Sequence, residues 1–385
     1  MLVRNWLAVV ERLCHTSSIL CQIQRISNCQ KDFVLNLHMK KKILVLITGG
    51  TIAAVEKDGV RSLIDEGEFC EKLKKMGDLT SQAQIDISIP FYTFSENMTI
   101  AKWQKILYSI RQSMRTQKYD AIILTHGSDT IALTANLLAF ATHGYNIPIV
   151  LVASAQPLGH IQSNGEINFR AALNFVVRTN CKGTFVAYSY DNLNTTIYAG
   201  ERVLQSQPFV DRYFSFASKL DFGVVSKDGD FSCTNLELCA DKVQSIDVKP
   251  LVEQLDDLGK IGGNVLVVSL HVGLDFSVFD LSRVDAVIVN PYHSSSYCLL
   301  DDGSNYSISL LCDNCNKYNV PLLLSPCRQN APMYNTLPRG IVKLCNISSE
   351  ATFAKILCAN SLFDAKSTDW IKFLTQPLCS EFVHC

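Results

Sequence analysis

The sequence has no apolar run approaching the ~20 residues that a membrane-crossing helix requires. Its longest runs, such as 43–47 and 265–270, have the length of buried strands. Net charge is also nearly absent, at −1, which leaves no electrostatic footprint for a nucleic acid. There is no internal repeat and no low-complexity stretch. No G-x-G-x-x-G follows the first strand-like run, so the fingerprint of a dinucleotide-binding domain is missing. These absences exclude a helical membrane protein, a basic nucleic-acid binder and a repeat array. They also set a nucleotide-binding Rossmann domain aside.

What remains is a chain of 385 residues, too long for one ordinary core and comfortable for two. With 48% hydrophobic and 18% charged residues the composition is globular. Fifteen cysteines is a high count, but a disulfide scaffold would be short and regularly spaced. Cys70, Cys181, Cys298, Cys345 and Cys358 lie instead inside apolar stretches, where a thiol packs as a small hydrophobe. Mostly reduced thiols and a cytoplasmic protein are expected. Cys312 and Cys315 have the one spacing that suits a metal or redox centre. A zinc site needs four ligands, and no second such pair or histidine pair accompanies them, so no metal is expected.

Residues 1–38 differ from the rest. Arg4, Arg12, Arg25 and Lys31 face only Glu11 and Asp32, with no clear period. A basic, acid-poor segment suits a transit peptide; an upstream extension before a start at Met39 is the simpler reading. From Lys41 a regular order emerges. Runs 43–47, 121–124, 149–153 and 185–188 read as buried strands, and 101–117, 131–141 and 168–177 as helices. This alternation predicts a parallel, doubly wound α/β sheet. Residues 226–262 read as a connection. A second, smaller α/β series follows, with strands at 264–270, 286–289 and 321–325 and a helix at 307–318. The expected domains are therefore 39–225 and 263–385. No chemistry is legible in 361–385.

In an open parallel sheet, ligands bind beyond the carboxyl ends of strands. Two motifs fall there: Thr48-Gly49-Gly50-Thr51 after the strand at 43–47, and Thr125-His126-Gly127-Ser128-Asp129-Thr130 after that at 121–124. Each joins glycine, which lets backbone N–H groups approach a ligand, to a hydroxyl side chain. The second adds a carboxylate in the first turn of its helix. Such a set could hold a small amide and attack its carbonyl. Taken singly, the first motif reads equally as a tight turn, and Ser128 or Asp129 as a helix N-cap. Their equivalent positions at two strand ends favour a site.

TGGTIA at 48–53 with THGSDT at 125–130 resembles the bacterial-type L-asparaginase family, especially its cytosolic branch. The resemblance runs from about Lys41 to Ala359 and includes the stretches 94–98, 154–158, 163–168, 198–202 and 349–352. It implies that Thr51 is the nucleophile forming an acyl-enzyme with asparagine's side-chain carbonyl. Ser128 would be the second hydroxyl, usually threonine. Asp129 would hold the substrate ammonium and Ser95 its carboxylate, with Glu96 in the same shell. Backbone N–H groups around Gly50 and Gly127 would form the oxyanion hole. Neither metal nor organic cofactor is implied, and the family assembles as homodimers or homotetramers. His126 would hold its loop by a hydrogen bond, while His271 and His293 have no partner visible in the sequence. Cys327 resembles a position lining an effector pocket in some relatives, although Leu204 replaces a polar residue expected nearby.

Two positions depart from the pattern. Gln205 stands where the family has a lysine that favours deprotonation of the second hydroxyl, since a nearby cation lowers an acid's pKa. The loop 57–61 lacks the family's tyrosine. Losing one positioned proton-transfer group typically costs ~10²–10⁴ in rate. The sequence thus leaves open an amidohydrolase with altered proton handling, an impaired homologue that binds a small amino acid, and an enzyme for another amide such as glutamine. Lys57 and Lys219 are candidate substitutes for the missing lysine.

Overall fold

The structure is a computed structural model that describes residues 40–77, 82–210, 212–218, 221–244, 247–255, 261–300, 302–330 and 336–383. The segment 1–38 and Lys219 lie outside the described residues. The strands are β1 (Lys41–Ile47), β2 (Ala54–Lys57), β3 (Val60–Leu63), β4 (Ala83–Ser88), β5 (Ala121–Thr125), β6 (Pro148–Val152) and β7 (Gly183–Tyr188). They continue with β8 (Thr195–Ala199), β9 (Gly223–Val225), β10 (Phe231–Cys233), β11 (Val265–Ser269), β12 (Ala286–Asn290), β13 (Leu322–Cys327) and β14 (Ile341–Cys345). The helices are α1 (Glu66–Gly77), α2 (Ile100–Thr116), α3 (Ile131–Ala141), α4 (Gly165–Arg178), α5 (Leu236–Val243), α6 (Ile308–Lys317), α7 (Ser349–Ala359) and α8 (Thr368–Thr375).

Strand β1 shows why a sheet forms here. Side chains alternate between faces with period 2. Leu44 and Leu46 join the core built by α2 and α3. Ile43, Val45 and Ile47 join the core built by α1 and α4. A strand covered on both faces must be apolar throughout, which is what the sequence displays. The large sheet has the order β10-β9-β8-β7-β6-β5-β1-β4. From β4 to β7 the pairings are parallel. From β7 to β10 they are antiparallel.

That antiparallel edge was not expected. Its cause is local: the connection 189–194 folds into a turn in which the Asp191 carboxylate accepts from Leu193 and Asn194 N–H. So short a link cannot make the crossover that a parallel return needs. The α/β class itself holds. A second sheet, β11-β12-β13-β14, is parallel throughout.

Helix α3 is buried on nearly every side and mostly apolar, as suits a helix between layers, with Thr134 and Asn136 its only polar side chains. It packs on β7 and on α7, so one continuous core runs from the large sheet to the second sheet. The far face of the second sheet is covered by α6. Within 226–262, Leu251 and Val252 enter the shared core, and the buried Arg111 guanidinium donates to the Val252 and Leu255 carbonyls at 3.4 and 3.2 Å. In 361–385, where nothing was read, Trp370 of α8 is fully buried and donates to Asn360 Oδ1 at 2.8 Å. Lys355 and Glu381 form an ion pair at 2.5 Å with both side chains at 0% exposure.

Candidate active site

Strands β1 and β5 are neighbours, and Ile47 is paired with Thr125. The two motifs therefore leave the sheet at the same level and edge. Thr48 fastens them: its hydroxyl donates to the Thr125 carbonyl at 2.6 Å, and its N–H donates to the Thr125 hydroxyl at 3.4 Å. On the other side of β1, the chain leaving β4 is tied in through Thr93. Thr93 N–H donates to Thr48 O at 3.0 Å, and Gly50 N–H donates to Thr93 O at 2.9 Å. Three adjacent strand ends are thus joined into one floor.

Two glycines allow the loops to touch. Gly50 has φ +81°, and a Cβ there would stand 2.4 Å from the His126 carbonyl oxygen. A Cβ on Gly127 would stand 2.3 Å from Ser95 Oγ. The first crowding is against backbone, which cannot swing away. Thr51 opens a single 3-10 turn, Thr51–Ala53, immediately beyond Gly50, and Ser128 follows Gly127. Both hydroxyl residues are half-buried and flank the contact between the loops.

The sequence expectation gave Gly50 an oxyanion-hole or loop position. Its N–H is engaged with Thr93 O at 2.9 Å. Asp129 was expected in the first helical turn, but α3 begins at Ile131 and Asp129 lies in the preceding turn. The N-cap residue is Thr130, without a side-chain cap; its hydroxyl donates instead to Ser95 O at 3.0 Å. Neither Ser128 nor Asp129 is spent on capping.

Ser95 is buried, and its hydroxyl donates to Asp129 Oδ2 at 3.4 Å. Glu96, on the same short turn (Ser95–Asn97), is exposed. The Gln205 side-chain amide donates to Asp129 O, the residue after Ser128. Its main-chain N–H donates to a Glu350 carboxylate oxygen at 2.9 Å. Burial pushes the Glu350 carboxyl up.

His126 is buried in a relay. Trp103 Nε1–H donates to the Thr134 hydroxyl at 2.8 Å, and that hydroxyl lies 3.0 Å from His126 Nε2. His126 Nδ1 lies 2.8 Å from Gly127 O. A carbonyl only accepts, so Nδ1 carries the proton and Nε2 accepts from Thr134. Burial pushes the imidazole down to about 4. A neutral ring with both nitrogens engaged positions the loop; it is not a base.

Two contributors escaped the sequence reading. Tyr213, buried against Tyr188 and Tyr198, donates its hydroxyl to Ser128 O at 2.8 Å. No local pattern announces it. Tyr92 donates to Ala53 O at 3.3 Å, bracing the turn that Thr51 opens. The β2–β3 hairpin turns through Asp58 and Gly59, both at positive φ, as a two-residue turn of this kind demands. It carries no tyrosine, but Arg61 reaches across to Gln156 Oε1 at 2.5 Å. Lys57 is exposed at the end of β2.

Other candidates fall outside this cluster. His271 and His293 are exposed. Cys312 and Cys315 are buried on one face of α6. Cys327 is buried, and burial raises its thiol to about 12. Among the described residues no group of three histidine, cysteine or acidic side chains is placed to hold a metal, and no helix is long and apolar enough to cross a membrane.

Residues 42–225 match the family description "Asparaginase, N-terminal", and both strand-end motifs lie inside that span. Residues 42–225, just under half of the chain, are thus asparaginase-like. L-asparaginase 1 of Escherichia coli is 30% identical over 182 residues, which are 46% of this chain and 51% of that protein. A glutamyl-tRNA(Gln) amidotransferase component of Saccharolobus solfataricus is 31% identical over 137 residues, 35% of this chain and 30% of that one. These sequence matches therefore span about half the length of the relatives or less.

Among solved structures, the thermostable L-asparaginase from Thermococcus kodakarensis superposes with TM-score 0.69 at 22% identity. The match covers 89% of this chain and all of that one. L-asparaginase I from Vibrio cholerae gives TM-score 0.69 at 20% identity, covering 90% of this chain and 100% of the other. The two-sheet asparaginase fold thus extends well beyond the family match in the N-terminal half.

Proposed function

We propose that this asparaginase-like chain is an amidohydrolase that converts L-asparagine to L-aspartate and ammonia through a threonine nucleophile. The observation that carries this reading is the convergence of three strand ends, which brings Thr51, Ser95, Ser128 and Asp129 around one floor. In the proposed reaction Thr51 Oγ1 attacks the side-chain amide carbon. Its proton passes through the neighbouring hydroxyl of Ser128 toward the leaving nitrogen. The C–N bond breaks, ammonia departs, and an ester to Thr51 remains. Water then adds to that ester, releasing aspartate and restoring the hydroxyl. Main-chain N–H groups around Thr51 and Gly127 would hold the oxyanion, Gly50 N–H being already committed. Asp129 and Ser95 would anchor the substrate ammonium and carboxylate, with Glu96 at the rim of the same shell.

The proposal extends to a cytoplasmic homodimer or homotetramer, with domains at 39–225 and 263–385 joined through 226–262. The test is ammonia release from asparagine and from glutamine by the purified chain, beside Thr51→Ala. Release from asparagine that disappears in the variant supports the reading. Equal release by both proteins rejects Thr51 as nucleophile.

A second reading is favoured by Gln205, which carries no charge where the family has lysine and spends its amide on Asp129 O. It describes an impaired homologue that binds a small amino acid. Calorimetric binding of aspartate without any ammonia release, together with activity gained in Gln205→Lys, would select it.

A further inference from the structure

Three thiols meet at the other end of the large sheet. Cys181 lies in the loop between α4 and β7, Cys233 ends β10, and Cys239 sits one turn into α5. Cys239 lies beside both Cys181 and Cys233, close enough for each to perturb its ionisation. The helix start creates the approach. Asn235 caps α5, its side chain accepting from Leu238 N–H at 3.1 Å. Its carbonyl accepts from Cys239 N–H at 2.9 Å and from Cys233 Sγ at 3.2 Å. One carbonyl oxygen thus gathers the residue before the helix and the residue one turn inside it. None of the three sulfurs is in a disulfide. Cys181 is buried, whereas Cys233 and Cys239 are partly open to solvent.

We propose that Cys233 and Cys239 are a peroxide-responsive disulfide pair, with buried Cys181 the thiol that donates to the Cys239 sulfur. The hydrogen bond with Cys181 first, then the contact with Cys233, holds the Cys239 thiol below its ordinary range. The bond with Cys239, followed by burial, keeps Cys181 protonated. The thiolate is the reacting species. Cys239 sulfur attacks one oxygen of hydrogen peroxide and breaks the O–O bond; with one proton taken up, water leaves and a sulfenic acid remains. Cys233 sulfur then attacks the sulfenic sulfur, loses its proton, and releases a second water as the S–S bond forms. Two thiols and one peroxide give one disulfide and two waters. This chemistry is separate from the strand-end site, because Cys181 precedes β7 whereas Thr51 and Ser128 follow β1 and β5.

The experiment treats the reduced full chain with stoichiometric hydrogen peroxide, blocks the remaining thiols, and maps the unreduced peptides by mass spectrometry. A Cys233–Cys239 link is expected in the wild type. Cys239 should be consumed at least about tenfold faster than half-exposed Cys298. In Cys233→Ser, a sulfenic acid at Cys239 should be captured by dimedone; in Cys239→Ser, no link should form at Cys233. Wild-type mapping alone decides the matter if a variant does not fold. Oxidation of Cys298 ahead of Cys239, a Cys181–Cys239 link, or survival of both thiols would overturn the proposal.

Discussion

The Gln205 side-chain amide donates to the Asp129 carbonyl while its backbone N–H is held by Glu350. One residue thereby links the turn carrying Ser128 and Asp129 to the first turn of α7, which belongs to the layer above the second sheet. If the proposed reaction is right, a cation at this position would favour ionisation of the Ser128 hydroxyl. Gln205→Lys should raise kcat for asparagine about tenfold or more, with little change in aspartate affinity. A kcat that falls in this variant would show that the present proton route depends on the neutral amide.

Gly50 and Gly59 both have positive φ, near +81° and +75°, but their surroundings differ. A Cβ on Gly59 meets nothing within 4 Å, whereas on Gly50 it collides with the His126 backbone. Gly59→Ala should cost about 1 kcal/mol, from backbone strain alone. Gly50→Ala must push the two loops apart as well, and should reduce kcat/KM at least about 100-fold, since small misplacements at a site are costly. Equal effects on urea stability and turnover in the two variants would contradict the contact.

Burial moves the His126 imidazole from 6.5 to about 4. The unfolded chain therefore binds a proton that the folded chain refuses between those values. Stability is full above pH 6.5 and declines as pH falls toward 4, by about 3 kcal/mol in total from this residue. NMR titration should show the His126 ring neutral at pH 5; a midpoint near 6.5 would refute this. Thr134→Val removes the hydroxyl between Trp103 and His126, and should cost about 1–3 kcal/mol in urea unfolding.

Lys355 and Glu381 are paired without solvent access, and Glu381 also accepts from the Leu378 and Cys379 N–H groups. Lys355→Met leaves a buried carboxylate without its cation and should destabilise by about 3–5 kcal/mol. Adding Glu381→Gln keeps an acceptor for those N–H groups and removes the charge. The double variant should recover at least ~1 kcal/mol of that loss, measured by denaturant unfolding. No recovery would mean that packing of the lysine stem carries the effect.

Much of the fold was legible because the central strands are buried on both faces. Runs such as 43–47 and 121–124 can be little else, and the helix read at 131–141 coincides with α3 (Ile131–Ala141). The strand-end location of TGGT and THGSD also came from residues and spacing alone, and the motifs themselves carried the resemblance to asparaginases. Local sequence could not report the reversal after β7, because Val- and Thr-rich strands read alike whether their partners run parallel or antiparallel. Nor did 361–385 reveal α8, whose short amphipathic turn is stabilised by a core assembled from distant segments.

The sequence by itself determined the α/β class and the two motif loops, since these rest on local periodicity and on residue types at fixed spacing; the likeness to asparaginases came from the resemblance of those motifs. Tertiary structure decided what each loop residue is free to do. Gly50 N–H is consumed by Thr93, Thr130 hydroxyl by Ser95, and Ser128 O by Tyr213, all across large separations in the chain. Hydrogen-bonding capacity at a site is limited, and which groups remain for a ligand depends on partners that only folding brings within 3 Å.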